Sequence, residues 1–209
     1  MMSGKRWGYV VQFFCLLVFL GMSPFLIKMD GRKTRSVSSD SVRSQNVSDE
    51  VKPVVALTFD DGPNASSTPI LLDGLKERKV RATFFLIGEN VEKDENEKIV
   101  KRMYEEGHLI GNHTYTHCNL SKLETGEAKK ELEQTDTVIE KITGKQPVFA
   151  RAPYGELPVD SEQDLNRIYI GWTVDPLDWM TEDTGAVVKT VVEEITVSYT
   201  HLRAHETCA

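Results

Sequence analysis

Two aspartates stand side by side in TFDDGP, Asp60 and Asp61, after a run of β-formers and directly before a Gly-Pro turn. Burying one carboxylate is costly, and two adjacent ones also repel each other, so both need partners. Three later clusters hold side chains of suitable chemistry. GNHTYTHCNL carries His113 and His117, whose i, i+4 spacing puts both imidazoles on one face if the segment is a helical turn. Two neutral imidazoles and one carboxylate can hold a divalent metal with positions left open for water, which is the arrangement of a catalytic site. ARAPYGE places Arg151 after a short strand, and Pro153, Tyr154 and Gly155 form a rigid turn able to present a backbone N–H to a substrate oxygen. WTVDPLDWM carries Asp175, Asp178 and Trp179, and an aromatic beside a carboxylate suits the face of a sugar. Each cluster alone has a plainer explanation: a turn cap, surface histidines, a Pro-x-Gly loop, a packing tryptophan.

The elements that must position these clusters alternate in type. Apolar runs at 54–59, 82–87, 108–111, 148–150 and 169–174 predict strands. Amphipathic stretches at 68–78, 95–106 and 125–142 predict helices between them. In the last of these Leu132, Thr135, Val138, Ile139 and Ile142 recur at helical spacing, and Gly144 suits the C-cap. Strand-helix alternation predicts an α/β fold with a parallel sheet or barrel. Function then belongs on the loops at the carboxyl ends of the strands, where all four clusters fall.

The 209 residues carry a net charge of −7 that is unevenly spread, with +3 over residues 1–50 and −10 over the remainder. An acidic domain argues against nucleic acid, which needs a basic face, and nothing in the sequence implies a protein partner. Three cysteines do not suggest a disulfide framework. Lys5 and Arg6 precede an uncharged stretch at 7–27, long enough to cross a bilayer as a helix. It is expected to be an uncleaved signal anchor, with 1–6 cytoplasmic and the domain outside. A cleaved signal peptide is the alternative, although Pro24 would hinder cutting after Ser23. Residues 28–50, rich in Ser and charge, read as a flexible tether, and Asn46-Val-Ser48 matches a glycosylation sequon.

Taken together and in order, the four motifs resemble the NodB-homology polysaccharide deacetylases, carbohydrate esterase family four, over about 51–196. The resemblance implies a distorted, incomplete (β/α) barrel that removes acetyl groups from N-acetylated polysaccharide; the anchor and tether favour a wall polymer near the cell surface, so peptidoglycan N-acetylglucosamine leads, with chitin-type oligomers and N-acetylmuramic acid behind it. It implies Asp61, His113 and His117 as ligands of zinc, with cobalt or nickel able to substitute. It further implies Asp60 as the general base, Arg151 as the residue orienting it and able to pair with Asp178, the Tyr154 N–H after Pro153 as an oxyanion donor, and Trp179 as a wall for the acetyl methyl. An O-acetyl xylan esterase of the same family, an inactive glycan-binding fragment and a two-histidine iron oxygenase are the alternatives. The oxygenase leaves the adjacent Asp60 and the Arg151 loop without a role.

The sequence departs from this pattern near its end. The resemblance implies a general-acid histidine in a leucine-x-histidine strand after a further helix. That helix begins at TGAVVKTVVEEIT, but no apolar strand is expected after it. In Thr200-His201-Leu202 the leucine lies on the wrong side of the histidine. The run 197–207 also resembles, codon for codon, a reading frame through a transposase-based sequencing-library adapter. The expectation is therefore a domain truncated near residue 196, with a non-native tail, lacking its general acid and impaired in activity.

Overall fold

The computed structural model describes residues 54–157, 167–195 and 199–206. The expected membrane segment, the tether with its sequon, Cys15 and Cys208 lie outside the described residues. Among the described residues no helix is long and apolar enough to cross a membrane.

Six parallel strands form one sheet in the order β5-β4-β3-β2-β1-β6. They are β1 Val54–Gly62, β2 Thr83–Leu86, β3 Leu109–Asn112, β4 Phe149–Ala150, β5 Ile168–Tyr169 and β6 Tyr199–His205. The helices are α1 Thr68–Glu77, α2 Gly88–Val91, α3 Asn96–Glu105, α4 Thr125–Thr143 and α5 Thr184–Glu194. The gap from β5 to β6 is spanned by the stretch that follows β5: Ile170 N–H donates to the Ala150 carbonyl at 2.8 Å, and Val174 bridges Leu202. The result is a distorted, incomplete α/β barrel, the form that the family resemblance implies, built on the parallel sheet that the strand-helix alternation predicts.

Strand alternation divides the side chains between two environments. Phe59 of β1 and Phe84 and Leu86 of β2 turn outward into a core with Leu72 and Leu75 of α1, Val100 and Met103 of α3 and Ile139 of α4. Burial of each such side chain stabilises the fold by about 1.5–3 kcal/mol. Thr58, Asp60 and Phe85 turn inward, and the Phe85 ring lies 4.2 Å from the Arg151 guanidinium. Gly111 on β3 leaves room for that ring, since a Cβ there would stand 2.5 Å from it. At the end of α4, Gly144 adopts φ 74° and returns its N–H to the Glu140 carbonyl at 2.8 Å, the C-cap expected of it.

Three elements differ from expectation, the first being β5, expected over 169–174 but formed only by Ile168–Tyr169. Helix α2 is a single turn, too short for a periodic signal. Strand β6 appears where no strand is expected, in register with β1 from Val54↔Tyr199 to Asp60↔His205. The edge of β1 offers unpaired N–H and C=O groups to any extended segment. Leu202 adds a buried contact with Val174 and Val191.

Candidate active site at the carboxyl end of the strands

A regular strand would send Asp60 and Asp61 to opposite faces. The β1–β2 register shifts between Asp60 and Gly62, and Asp61 takes φ 70°. This irregularity turns both carboxylates toward one end of the barrel. Asp60 is 1% exposed, and its Oδ1 accepts from Arg151 Nη1 at 2.7 Å. Asp61 Oδ1 lies 3.3 Å from His113 Nε2 and 3.2 Å from His117 Nε2.

The histidines reach Asp61 from a loop rather than from the helical turn that their spacing suggests. Thr114 at φ 66° and His117 at φ 57° are left-handed, which breaks any helix and still brings the two ring centroids within 5.1 Å. His113 Nδ1 lies 2.7 Å from the Arg151 carbonyl. A carbonyl only accepts, so Nδ1 carries the proton and Nε2 keeps a lone pair facing Asp61. Buried Asp61 Oδ1 has no hydrogen-bond partner, and the ligand atoms of Asp61, His113 and His117 all lie within 4.8 Å of one another. One carboxylate and two imidazole nitrogens, converging with an orphaned oxygen, fit a divalent cation. Burial raises the Asp61 carboxyl, but His113 and His117, when protonated in the metal-free site, outweigh it and hold the group well below the ordinary carboxylate range.

Arg151 joins the two sides of the barrel. It is 1% exposed; Nη1 donates to Thr58 Oγ1 and Asp60 Oδ1, both at 2.7 Å, Nε to the Ile170 carbonyl at 3.1 Å and Nη2 to the Gly171 carbonyl at 3.0 Å. Pro153 is buried, and Tyr154 follows it at φ 61° with its side chain 62% exposed and its hydroxyl 3.4 Å from His117 Nδ1. Trp179 is 56% exposed in the short turn Asp178–Met180. Asp178 accepts from His205, through the backbone N–H and through Nδ1, each at 2.7 Å.

Arg203 and His205 of β6 are inward-facing residues that the sequence reading did not single out. Arg203 Nε lies 3.2 Å from Asp60 Oδ2, its guanidinium stacks 4.2 Å from the Trp172 ring, and Nη2 lies 2.5 Å from His205 Nε2. With Nδ1 donating to Asp178, His205 Nε2 must accept from Arg203, so that nitrogen has no proton to give. The alternation His201, Leu202, Arg203, Ala204, His205 is the period of a half-buried strand and was a usable signal. His201 is exposed, and its carbonyl accepts from Thr173 N–H at 3.0 Å. Behind the two aspartates, buried Glu206 takes a hydrogen bond from Thr68 Oγ1, and a Cβ at Gly62 would collide with its carboxyl. Burial pushes Glu206 up to about 8; Asp60 and Asp61 add to the rise, while the Thr68 bond opposes it.

Residues 48–170 match the polysaccharide deacetylase family. The chain is 43% identical over 144 residues to a peptidoglycan-N-acetylglucosamine deacetylase of Bacillus cereus, covering 68% of this chain and 52% of the relative. It thus spans about half the length of that relative, and about a third of two other curated relatives. Among solved structures it is similar to the peptidoglycan deacetylase PdaC of Bacillus subtilis, with a TM-score of 0.69 at 35% identity, covering 74% of this chain and 75% of that one. A family 4 acetyl xylan esterase of Clostridium thermocellum in complex with a cobalt ion gives a TM-score of 0.67 at 31% identity, covering 73% and 74%.

Proposed function

Since the chain belongs to the polysaccharide deacetylase family, we propose that it hydrolyses acetyl amides of a cell-wall or chitin-like polysaccharide, with peptidoglycan N-acetylglucosamine as the foremost substrate. The observation that carries this reading is the convergence of Asp61, His113 and His117 beside a buried Asp60 that Arg151 holds at 2.7 Å. Asp61, His113 and His117 hold a divalent ion, with zinc first and cobalt or nickel able to replace it. When bound, such an ion supplies Lewis-acid activation of water and of the acetyl carbonyl. Asp60 takes the proton of the attacking water, and Arg151 holds its carboxylate in place through the 2.7 Å bond to Oδ1. The Tyr154 N–H donates to the oxygen on which charge develops, a contact worth about 3–4 kcal/mol. Trp179 supplies an apolar wall beside the acetyl methyl.

The departing amine needs a proton, and His205 Nε2 faces Arg203 instead of free space. Loss of a general acid costs on the order of 10²–10⁴ in rate. Slow turnover is therefore the expected behaviour of this chain. Attachment outside the cell through residues 7–27 belongs to the same reading and places the domain beside wall polymer.

Acetate release from peptidoglycan, chito-oligosaccharide and acetylated xylan, measured with zinc-loaded protein, tests the proposal. Release from the first two that stops with Asp60→Asn and with a chelator supports it. Release from xylan alone moves the function to ester hydrolysis, and equal release by wild type and Asp60→Asn overturns the assignment of the base.

A further inference from the structure

The loop that carries both histidines is held from outside by a helix that contributes nothing to the barrel interior. Three successive backbone N–H groups of this loop end on side-chain oxygens. Thr114 N–H donates to Asn112 Oδ1 at 2.8 Å, and Tyr115 and Thr116 N–H donate to Glu131 Oε2 at 3.0 and 2.8 Å. The Thr116 hydroxyl adds a third bond to the same oxygen at 3.1 Å. Asn112 is itself fixed on α4, donating from Nδ2 to the Leu132 carbonyl at 2.8 Å and to Asp136 Oδ1 at 2.6 Å. Arg167, just before β5, donates to both oxygens of Asp136, at 3.1 and 2.8 Å. On the opposite side the N–H groups of Gly88 and Glu89 in α2 donate to the Thr114 and Tyr115 carbonyls, each at 3.0 Å.

Such a clamp has a physical purpose. Thr114 is β-branched and sits at φ 66°, a sparsely populated region in which a residue persists only where its surroundings enforce it. His117 is left-handed as well. Relaxation of either residue toward ordinary backbone would swing an imidazole away from Asp61. We infer that Glu131 and Asp136 of α4 are positioning residues for the metal site: Glu131 directly, and Asp136 through Asn112, fix the 112–117 backbone so that both Nε2 atoms converge on Asp61.

This inference rests on the reading of Asp61, His113 and His117 as metal ligands. Partners beyond the ligands typically contribute 10–100-fold in metal affinity. Titration of metal-free protein with Co²⁺, followed by its visible absorption, reads the geometry without any need for turnover. Glu131→Ala is expected to weaken Co²⁺ binding about 10–100-fold and to change the absorption bands. Glu131→Gln keeps an oxygen acceptor and is expected to restore most of the affinity. Asp136→Asn, which retains one oxygen for Asn112, should give an intermediate loss. Wild-type affinity and spectrum in folded Glu131→Ala overturn the clamp while leaving the proposed function intact. If Glu131→Ala does not fold, the same titration of Glu131→Gln and Asp136→Asn decides, and unchanged binding in both overturns it. Failure of the wild-type protein to bind Co²⁺ overturns the metal site and this inference together.

Discussion

The two sides of the site are built differently. On the side of β1 and the histidine loop, polar groups are matched: His113 Nδ1 to a carbonyl, loop amides to Glu131 and Asn112, and loop carbonyls to α2. Left over there are the buried Thr114 Oγ1 and, aimed at one point, the Asp61 oxygen and the imidazole lone pairs. On the side of β5 and β6 one cation is instead shared, with Arg203 against Asp60, Asp175 and His205 at once. The first side is assembled from neighbouring loops and one helix. The second depends on pairing Val54–Gly62 with Tyr199–His205, far apart in sequence. The ligand side is ready for an ion, whereas the β6 side is not yet ready to deliver a proton.

Arg151 ties the two sides together, so its removal should have the largest effect. Arg151→Met deletes the bonds to Thr58 and Asp60 on one side and to the Ile170 and Gly171 carbonyls on the other. It also leaves buried Asp60 with Arg203 at 3.2 Å as its remaining cation, and breaking a buried pair costs up to about 3–5 kcal/mol. Denaturant unfolding measures the loss. A loss below about 1 kcal/mol would mean that the two sides hold together without this residue.

The two sides also carry carboxylates whose shifts have opposite signs. Asp61 has its pKa depressed below 3.8, so its contribution is present above that value and is lost as pH falls. Glu206 has its pKa raised from 4.5 to about 8, so its contribution is full below pH 4.5 and is lost as pH rises through 8. Over that interval the Glu206 linkage should lower stability by up to about 1.4 kcal/mol per pH unit. Glu206→Gln should flatten this slope and leave the acid limb to Asp61. Unfolding midpoints from pH 2 to 9 measure both limbs. An unchanged slope in Glu206→Gln would place the titrating group elsewhere.

Much of the ligand side was legible in the sequence because its signals are local. Asp60, Asp61, His113 and Arg151 each stand at or just after the end of an apolar run, His117 follows His113 at i, i+4, and the longer strands and helices follow simple periods. The loop conformation was not legible. Left-handed backbone at Asp61, Thr114 and His117 carries no residue signature, since none of them is glycine. Nor could a helix pattern show that Glu131 faces a loop while its neighbours on α4 face solvent or core. Strand β6 was not expected because no apolar run follows the helix at 184–194 and the leucine of Thr200-His201-Leu202 lies on the wrong side of the histidine. The structure instead reads the alternation from His201 to His205, which places Arg203 and His205 inward and Leu202 and Ala204 outward.

Arg203 is the residue on which the difference between the two sides turns. Its guanidinium lies beside Asp60 Oδ2 and occupies His205 Nε2. Replacing it with leucine would remove the cation, free that nitrogen to carry a proton, and leave an apolar side chain against Trp172. Arg203→Leu is expected to raise acetate release about tenfold or more, equivalent to at least ~1.4 kcal/mol in barrier. Metal affinity should stay unchanged, because no ligand contacts Arg203. His201→Ala, at an exposed position on the same strand, should change neither quantity. A rise in both variants would point to loosening of β6 as a whole, and no rise in Arg203→Leu would leave the proton-delivering side limited by something other than this cation.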